Sequence, residues 1–409
     1  MTNRAAYFGL TALCVINLLN YVDRYILAGV MNEVQKTFAL NDTQGGQLAT
    51  IFMVVYMCAS PLGGFLGDRM PRRILIGISV LVWSAATIAS GLALSFHQLL
   101  VARAVTGIGE AGYGTVAPSV ISDLFKRERR SRMLSFFYVT MPLGAAIGFI
   151  VGGSVEEKWH YAFFLGGAPG IVLGLLSFFL PEPERGAMDG GVKPAAVPLL
   201  EGLAALRSNA RYWFVVAGLT LMTFSIGGLS IWMPKYLSAE RGFSGGEAGL
   251  ALGATTVIGG LVGTLAGGLL GERLERRRAG GSILLSAIGL LTAAPFMVGA
   301  VMLQNKLALL ACLLLAQVCI FLNNGPLNAA IVNVVDPGLR GFAFGISMLV
   351  LHLLGDAASP TIIGWISDQS SLGFAIILNA VPVALGGLVL LPAVKLFRLE
   401  RPLPSSSAP

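Results

Sequence analysis

Charge is scarce in this chain. Lys, Arg, Asp and Glu make up 12% of its 409 residues, whereas 55% are hydrophobic and mean hydropathy is +0.76. A soluble domain carries roughly twice that charged fraction, because its surface must face water. So little charge excludes a water-soluble globular protein and requires lipid to solvate much of the surface. Histidine is rarer still, with three residues, and the four cysteines, Cys14, Cys58, Cys312 and Cys319, lie inside apolar stretches without metal-ligand spacing. That pattern excludes a zinc site and gives no ground for a disulfide framework. Phosphate-cradling glycine loops and nucleophile triads are missing, so neither an enzyme nor a bound metal or other cofactor is expected. The net charge of +7 would point to nucleic acid in a soluble protein. Here the basic residues sit in short loops between apolar runs, where they set topology and imply no nucleic-acid partner.

What the chain does have is long apolar runs. At ~20 apolar residues per crossing, its length holds ~12 helices. The pattern predicts them at 6–32, 45–67, 73–95, 97–122, 131–154 and 160–180, then at 210–237, 246–271, 279–302, 306–333, 340–366 and 372–396. The fold expected is an all-α membrane protein, twelve transmembrane helices in two pseudo-symmetric six-helix bundles. The bundles cover 1–180 and 210–398, with a polar Pro/Gly-rich linker at 181–209 and a short tail at 399–409. The first apolar run follows only Arg4 and has no convincing cleavage site, so it reads as a retained helix.

Lys and Arg give the orientation. With a cytoplasmic N-terminus, the inner segments hold Arg4, Arg69, Arg72, Arg73, Lys126, Arg127, Arg129, Arg130, Arg132, Arg185, Lys193, Arg207, Arg211, Arg273, Arg276 to Arg278, Arg340, Lys395, Arg398 and Arg401. The outer segments hold only Lys36, Lys158, Lys235, Arg241 and Lys306. Both termini are therefore expected in the cytoplasm.

One loop occurs twice. Gly63-Gly64-Phe65-Leu66-Gly67-Asp68-Arg69-Met70-Pro71-Arg72-Arg73 returns, half a chain length on, as Gly267-Gly268-Leu269-Leu270-Gly271-Glu272-Arg273-Leu274-Glu275-Arg276-Arg277. Two copies six helices apart argue for parallel halves related by an axis along the membrane normal. The loop resembles the signature of the major facilitator superfamily, and the resemblance spans all twelve helices. It implies a cytoplasmic charge clasp that latches the outward-facing state, formed by Asp68, Arg69, Arg72 and Arg73 and repeated by Glu272, Arg273, Arg276 and Arg277. Rocking the halves would make and break such pairs. A solvated loop contributing little energy is the competing reading.

Ionisable residues deep in a span are costly unless paired or facing water, so each is a candidate for function. Asn20-Tyr21-Val22-Asp23-Arg24-Tyr25 interrupts helix 1, and Arg103 and Glu110 share one face of helix 4, ~10.5 Å apart along the axis. The predicted ends put Asp23 ~13 Å below the outer surface, Arg103 ~9 Å and Glu110 ~20 Å, so Asp23 is expected level with Arg103, and Glu110 deeper. Burial favours a neutral carboxyl and a nearby guanidinium the charged one, so an Arg that changes partners moves a proton. A static ion-pair network between helices 1 and 4 is the alternative. In the second half, His352 and Asp356 stand one turn apart on helix 11, and Asn323, Asn324 and Asn328 line helix 10 as groups for a polar headgroup or for interhelical hydrogen bonds.

Asn20-Tyr-Val-Asp-Arg-Tyr, Arg103-x-x-x-Gly107-x-Gly109-Glu110-Ala111, and His352-Leu-Leu-Gly-Asp-Ala-Ala-Ser-Pro followed by Gly364-Trp-Ile-Ser-Asp368 resemble the Spinster branch of that superfamily. Members in animals move sphingosine-1-phosphate or lysophospholipids. The resemblance implies that Asp23, Arg24, Arg103 and Glu110 line a central cavity, with Asp23 and Glu110 coupling protons. Arg24, Arg103, Tyr21, Asn323, Asn324, His352 and Asp356 are expected to meet a small amphipathic substrate. Compact loops and short termini point to a bacterial cytoplasmic membrane, and a monomer is expected. Gly144, Gly148, Gly152 and Gly153 resemble the antiporter motif, but Ser154 stands where the full pattern has proline. A facilitator or exporter of small organic anions or drug-like compounds, and a non-transporting lipid receptor or scaffold, remain the alternatives.

Overall fold

The computed structural model describes residues 3–155, 158–184, 199–335 and 339–398; residues 185–198 of the predicted linker and the tail, 399–409, lie outside the described residues. Six long helices come first: α1 (Asn3–Phe38), α2 (Asp42–Arg69), α3 (Arg72–Gly91), α4 (Phe96–Leu124), α5 (Arg127–Ser154) and α6 (Trp159–Ser177). A short helix, α7 (Leu199–Arg207), stands where the sequence predicted only linker. Then follow α8 (Ala210–Glu240), α9 (Gly245–Arg277) and α10 (Gly281–Met302).

The last three predicted helices are each broken. The tenth is α11 (Lys306–Phe321) and α12 (Asn324–Asn333). The eleventh is α13 (Arg340–Leu351), a π turn at His352–Asp356 and α14 (Ser359–Gln369). The twelfth is α15 (Leu372–Leu378) and α16 (Ala380–Arg398). Each break has a local cause. Asn323 turns its side-chain amide back onto the Cys319 and Ile320 carbonyls at 2.9 and 3.0 Å. Gly355 leaves helical geometry at φ −97°, ψ −106°. Asn379 and Ser225 exchange side-chain-to-backbone bonds of 3.0 and 2.6 Å at the α15–α16 junction.

Short polar caps start the helices where the apolar runs alone do not. Asn41 and Gln44 form a reciprocal capping box on α2, Ser95 caps α4 and Asn305 caps α11, each supplying an acceptor to an amide that has no intrahelical partner. Eleven of the described helical stretches are long and apolar enough to cross a membrane. The twelfth long helix is α4, the one that carries Arg103, Glu110 and Asp123. Large apolar side chains face outward, with Leu94, Phe179 and Leu307 at 84%, 80% and 78% exposure, as expected of surfaces solvated by lipid.

The contacts gather into two compact units that do not follow the repeat. One comprises Met1–Pro194, Leu229–Ala254 and Ala357–Gly373; the other Ala195–Gly228, Thr255–Asp356 and Phe374–Pro409. The first unit is built round Trp83 and Tyr113, whose rings meet edge to face at 5.4 Å among Leu13, Ile16, Val80 and Ile121. The Tyr113 hydroxyl donates to the Leu13 carbonyl at 2.7 Å, tying α4 to α1. The Gly144, Gly148 and Gly152 stripe lies directly on α1, where a Cβ would strike the Leu18, Val22 and Ile26 carbonyls. That is the close helix contact small residues permit.

The repeated loop is organised differently from the predicted clasp. Asp68 is exposed and makes no ion pair among the described residues, and Arg69 lies over the Phe65 ring at 3.5 Å. Arg72 is the buried member. It pairs with Asp123 at 2.5 Å and Glu182 at 3.3 Å and donates to the Pro183 carbonyl at 2.6 Å. Glu182 also accepts the Arg72 and Arg73 backbone amides, capping α3, while the Arg73 side chain is exposed. In the second copy Glu272 pairs with Arg276 on its own helix, both exposed, and Glu275 accepts the amides of Gly280 and Ser282. Arg273 and Arg277 are exposed. Arg72→Ala is therefore expected to cost about 3 kcal/mol, because it strips a buried carboxylate of its guanidinium. Arg73→Ala should stay within about 0.5 kcal/mol of the parent. Thermal unfolding in detergent compares them; equal stabilities would assign Arg72 no structural role.

Candidate functional site

Helix ends decide which charges meet. α1 runs to Phe38, beyond its predicted end, so Arg24 lies ~21 Å from that end, and Glu110 lies ~21 Å from the start of α4 at Phe96. The two helices run in opposite senses, and the levels match. Arg24 Nε meets Glu110 Oε2 at 2.5 Å, with Glu110 fully buried and the Arg24 side chain 16% exposed. The pairing expected from sequence, Asp23 with Arg103, does not form. The short estimate of helix 1 had raised Asp23 to the level of Arg103.

Asp23 instead takes a hydrogen bond from the Thr87 hydroxyl of α3 at 2.8 Å. Its other oxygen, Oδ1, meets no donor among the described residues, and a Cβ at Gly166 would lie only 2.5 Å from it. α6 thus closes over the carboxylate with bare backbone. Arg103 is 1% exposed and lies 4.8 Å from the Phe52 ring centre, yet its Nε and Nη1 have no hydrogen-bond partner among the described residues. The buried Asn20 side chain faces Glu110, though neither Asn20 Nδ2 nor Glu110 Oε1 makes a hydrogen bond within 3.5 Å among the described residues. Aromatic faces wall this cluster: the Arg24 guanidinium lies 5.0, 5.3 and 4.7 Å from the Tyr21, Phe52 and Tyr56 rings. Cations over aromatic faces gain electrostatic stabilisation and leave their edges free to donate.

The second-unit candidates are placed separately. His352 Nδ1 lies 3.0 Å from both Asp356 oxygens across the π turn, so the predicted shared face is present. Asn323 is buried and spends its amide on its own helix, while its Oδ1 is unpartnered. Asn324 is half-buried and offers its backbone carbonyl to Asn328 at 2.8 Å. Sequence reasoning missed Thr87 as a site neighbour, and Asp123 and Glu182 as the partners of Arg72. Thr87 leaves no signal in an apolar helix, whereas Glu182 stood inside a Pro-Glu-Pro-Glu run read only as linker. No group of three or more His, Cys, Asp or Glu residues suited to a metal occurs among the described residues.

Together these features define a multi-pass integral membrane protein with a charged, aromatic-walled cluster inside its first unit. The model of the Major Facilitator Superfamily matches residues 13–360. The chain is 34% identical over 391 residues to Protein spinster homolog 3 of Danio rerio, covering 91% of this chain and 78% of the relative. It is 34% identical over 422 residues to the Sphingosine-1-phosphate transporter SPNS2 of Mus musculus, covering 94% and 76%. A solved bacterial homolog of the human lysosomal transporter Spinster, in an inward-facing and unoccupied conformation, shares the fold. Its TM-score is 0.90 at 22% identity, covering 99% of this chain and 100% of that one. The chain belongs to the major facilitator superfamily and, within it, to the Spinster family.

Proposed function

We propose that this protein moves an amphipathic lysolipid or sphingolipid-like substrate by alternating access, driven by protons, with both termini on the cytoplasmic side of a bacterial inner membrane. The observation that carries the reading is the set of buried polar atoms on Arg103 and Asp23 that have no partner among the described residues, beside an aromatic wall. Buried polar atoms are nearly always satisfied, so such a group marks where a ligand or water belongs. An anionic headgroup answers the Arg103 donors, and an acyl chain suits the rings of Phe52 and Tyr56. The SPNS2 relative is a sphingosine-1-phosphate transporter, which supports the same substrate class.

Asp23 and Glu110 are the proton carriers in this scheme. Each is a buried carboxylate with one oxygen held by a short contact, Asp23 by Thr87 and Glu110 by Arg24. A headgroup that draws Arg24 away from Glu110 changes what that carboxylate faces, which links substrate to proton. Purified protein in liposomes, given labelled lysophosphatidylcholine, should accumulate it faster with a pH gradient. Asp23→Asn and Glu110→Gln should bring gradient-driven uptake to the protein-free level. Unchanged gradient-driven uptake in both variants removes proton coupling. Competition by short carboxylates, with none by lysolipid, would favour an organic-anion facilitator instead.

A further inference from the structure

At the end of α2 remote from the Asp68 loop, ~40 Å along the helix, a second charged node joins three chain segments. Asp42 accepts a hydrogen bond from Gln35 Nε2 at 2.8 Å and from the Ser367 hydroxyl of α14 at 2.5 Å, and it pairs with Lys235 from the last turns of α8. Asp368 of α14 in turn caps α2, accepting the Asp42 and Thr43 amides at 2.8 and 2.9 Å and the Thr43 hydroxyl at 2.5 Å. An acidic side chain at a helix N-terminus meets both the free amides and the positive end of the helix dipole. One segment comes from the first half of the sequence and two from the second.

Below the node the same seam is closed by contact. The Thr50 hydroxyl donates to the Ala357 carbonyl at 2.6 Å and lies 2.8 Å from the Thr361 hydroxyl. Trp232 Nε1, fully buried, donates to the Pro360 carbonyl at 2.9 Å. α2 and α14 approach so closely that a Cβ on Gly46 would strike the Pro360 carbonyl, and one on Gly364 the Asp42 carbonyl. Glycine at both positions is what this backbone contact requires.

We propose that Asp42 is the hub of a latch, with Lys235, Ser367 and Asp368, that holds this end of the transporter shut, and that releasing it is an obligatory step of the cycle. The inference rests on the alternating-access reading above. The latch suits reversible use. The Lys235 and Asp42 side chains are 16% and 13% exposed, so each stands at the edge of water and is rehydrated as the seam parts. A fully buried pair would pay a larger penalty on each closing. Polar groups at the rim fix register, and the glycine contact below excludes water.

Hydrogen–deuterium exchange read by mass spectrometry on the intact protein in detergent tests the latch, paired with lysophosphatidylcholine flux in liposomes. Asp42→Asn and Lys235→Met each remove a charged hydrogen bond and should speed exchange about tenfold over 42–50, 229–238 and 359–369. Gly364→Ala should do the same by wedging the backbones apart, and flux should fall in all three. Asp42→Asn keeps the shape of the side chain, so the inference stays testable should the wedge variant misfold. Wild-type exchange rates across the seam in both charge variants would overturn the latch. If those variants match wild type while added lysophosphatidylcholine loosens the seam in wild type, alternating access stands and the latch alone falls. A seam that stays fully protected in wild type during turnover sinks both.

Discussion

Arg24→Ala is expected to lower stability by about 3–5 kcal/mol and to abolish transport, because it leaves Glu110 fully buried without its partner. The 2.5 Å contact is the charged tie between α1 and α4 at the centre of the first unit. A double variant, Arg24→Met with Glu110→Met, removes both charges and keeps the volume. It should recover most of the lost stability, since apolar replacement of a buried pair is often neutral or better. It should recover no transport. That split separates a structural tie from a functional one: thermal unfolding reports the first and liposome flux the second. A double variant that transports would show that the pair only holds helices together. An Arg24→Ala protein as stable as the parent would show that Glu110 is solvated.

What the sequence makes legible follows from energetic cost. Ionisable residues deep in apolar runs are expensive, so Asp23, Arg24, Arg103 and Glu110 stand out unaided, and all four fall in one unit. The duplicated loop likewise reveals the repeat. Pairing is another matter, because it depends on depth, and depth depends on where a helix stops. Apolar periodicity ends near Met31, but the polar turns through Phe38 continue as helix, which lowers Arg24 to the level of Glu110. Breaks in the tenth to twelfth helices are hidden for a related reason. Asn323 and Asn379 look like single polar residues in apolar runs, and only the bonds they make show that they interrupt the helix. The loop arginines carry the same lesson. Nothing in the motif says that Arg72 turns inward to Asp123 while Arg69 stays outside on Phe65. Spacing identifies the motif, and burial sorts its members.

Replacing Arg103 should remove ligand binding, and it should do so with a gain in stability. Its guanidinium is 1% exposed and makes no ion pair within 4.0 Å among the described residues. Two of its nitrogens lack protein acceptors. An unsatisfied buried charged donor costs about 1–3 kcal/mol or more. Arg103→Met fills similar space over Phe52 without that cost, so it should unfold at a higher temperature than the parent. The same variant should lose the rise in unfolding temperature that sphingosine-1-phosphate, used as a probe, gives to wild type, because binding to the native state alone is what produces such a rise. Arg103→Lys discriminates further. It keeps the charge as a compact ammonium but not the planar pair of N–H donors, so a partial ligand shift is expected. A full ligand shift in Arg103→Met would show that the headgroup is held elsewhere. Loss of both stability and ligand shift would make Arg103 part of the structural network with Arg24 and Glu110.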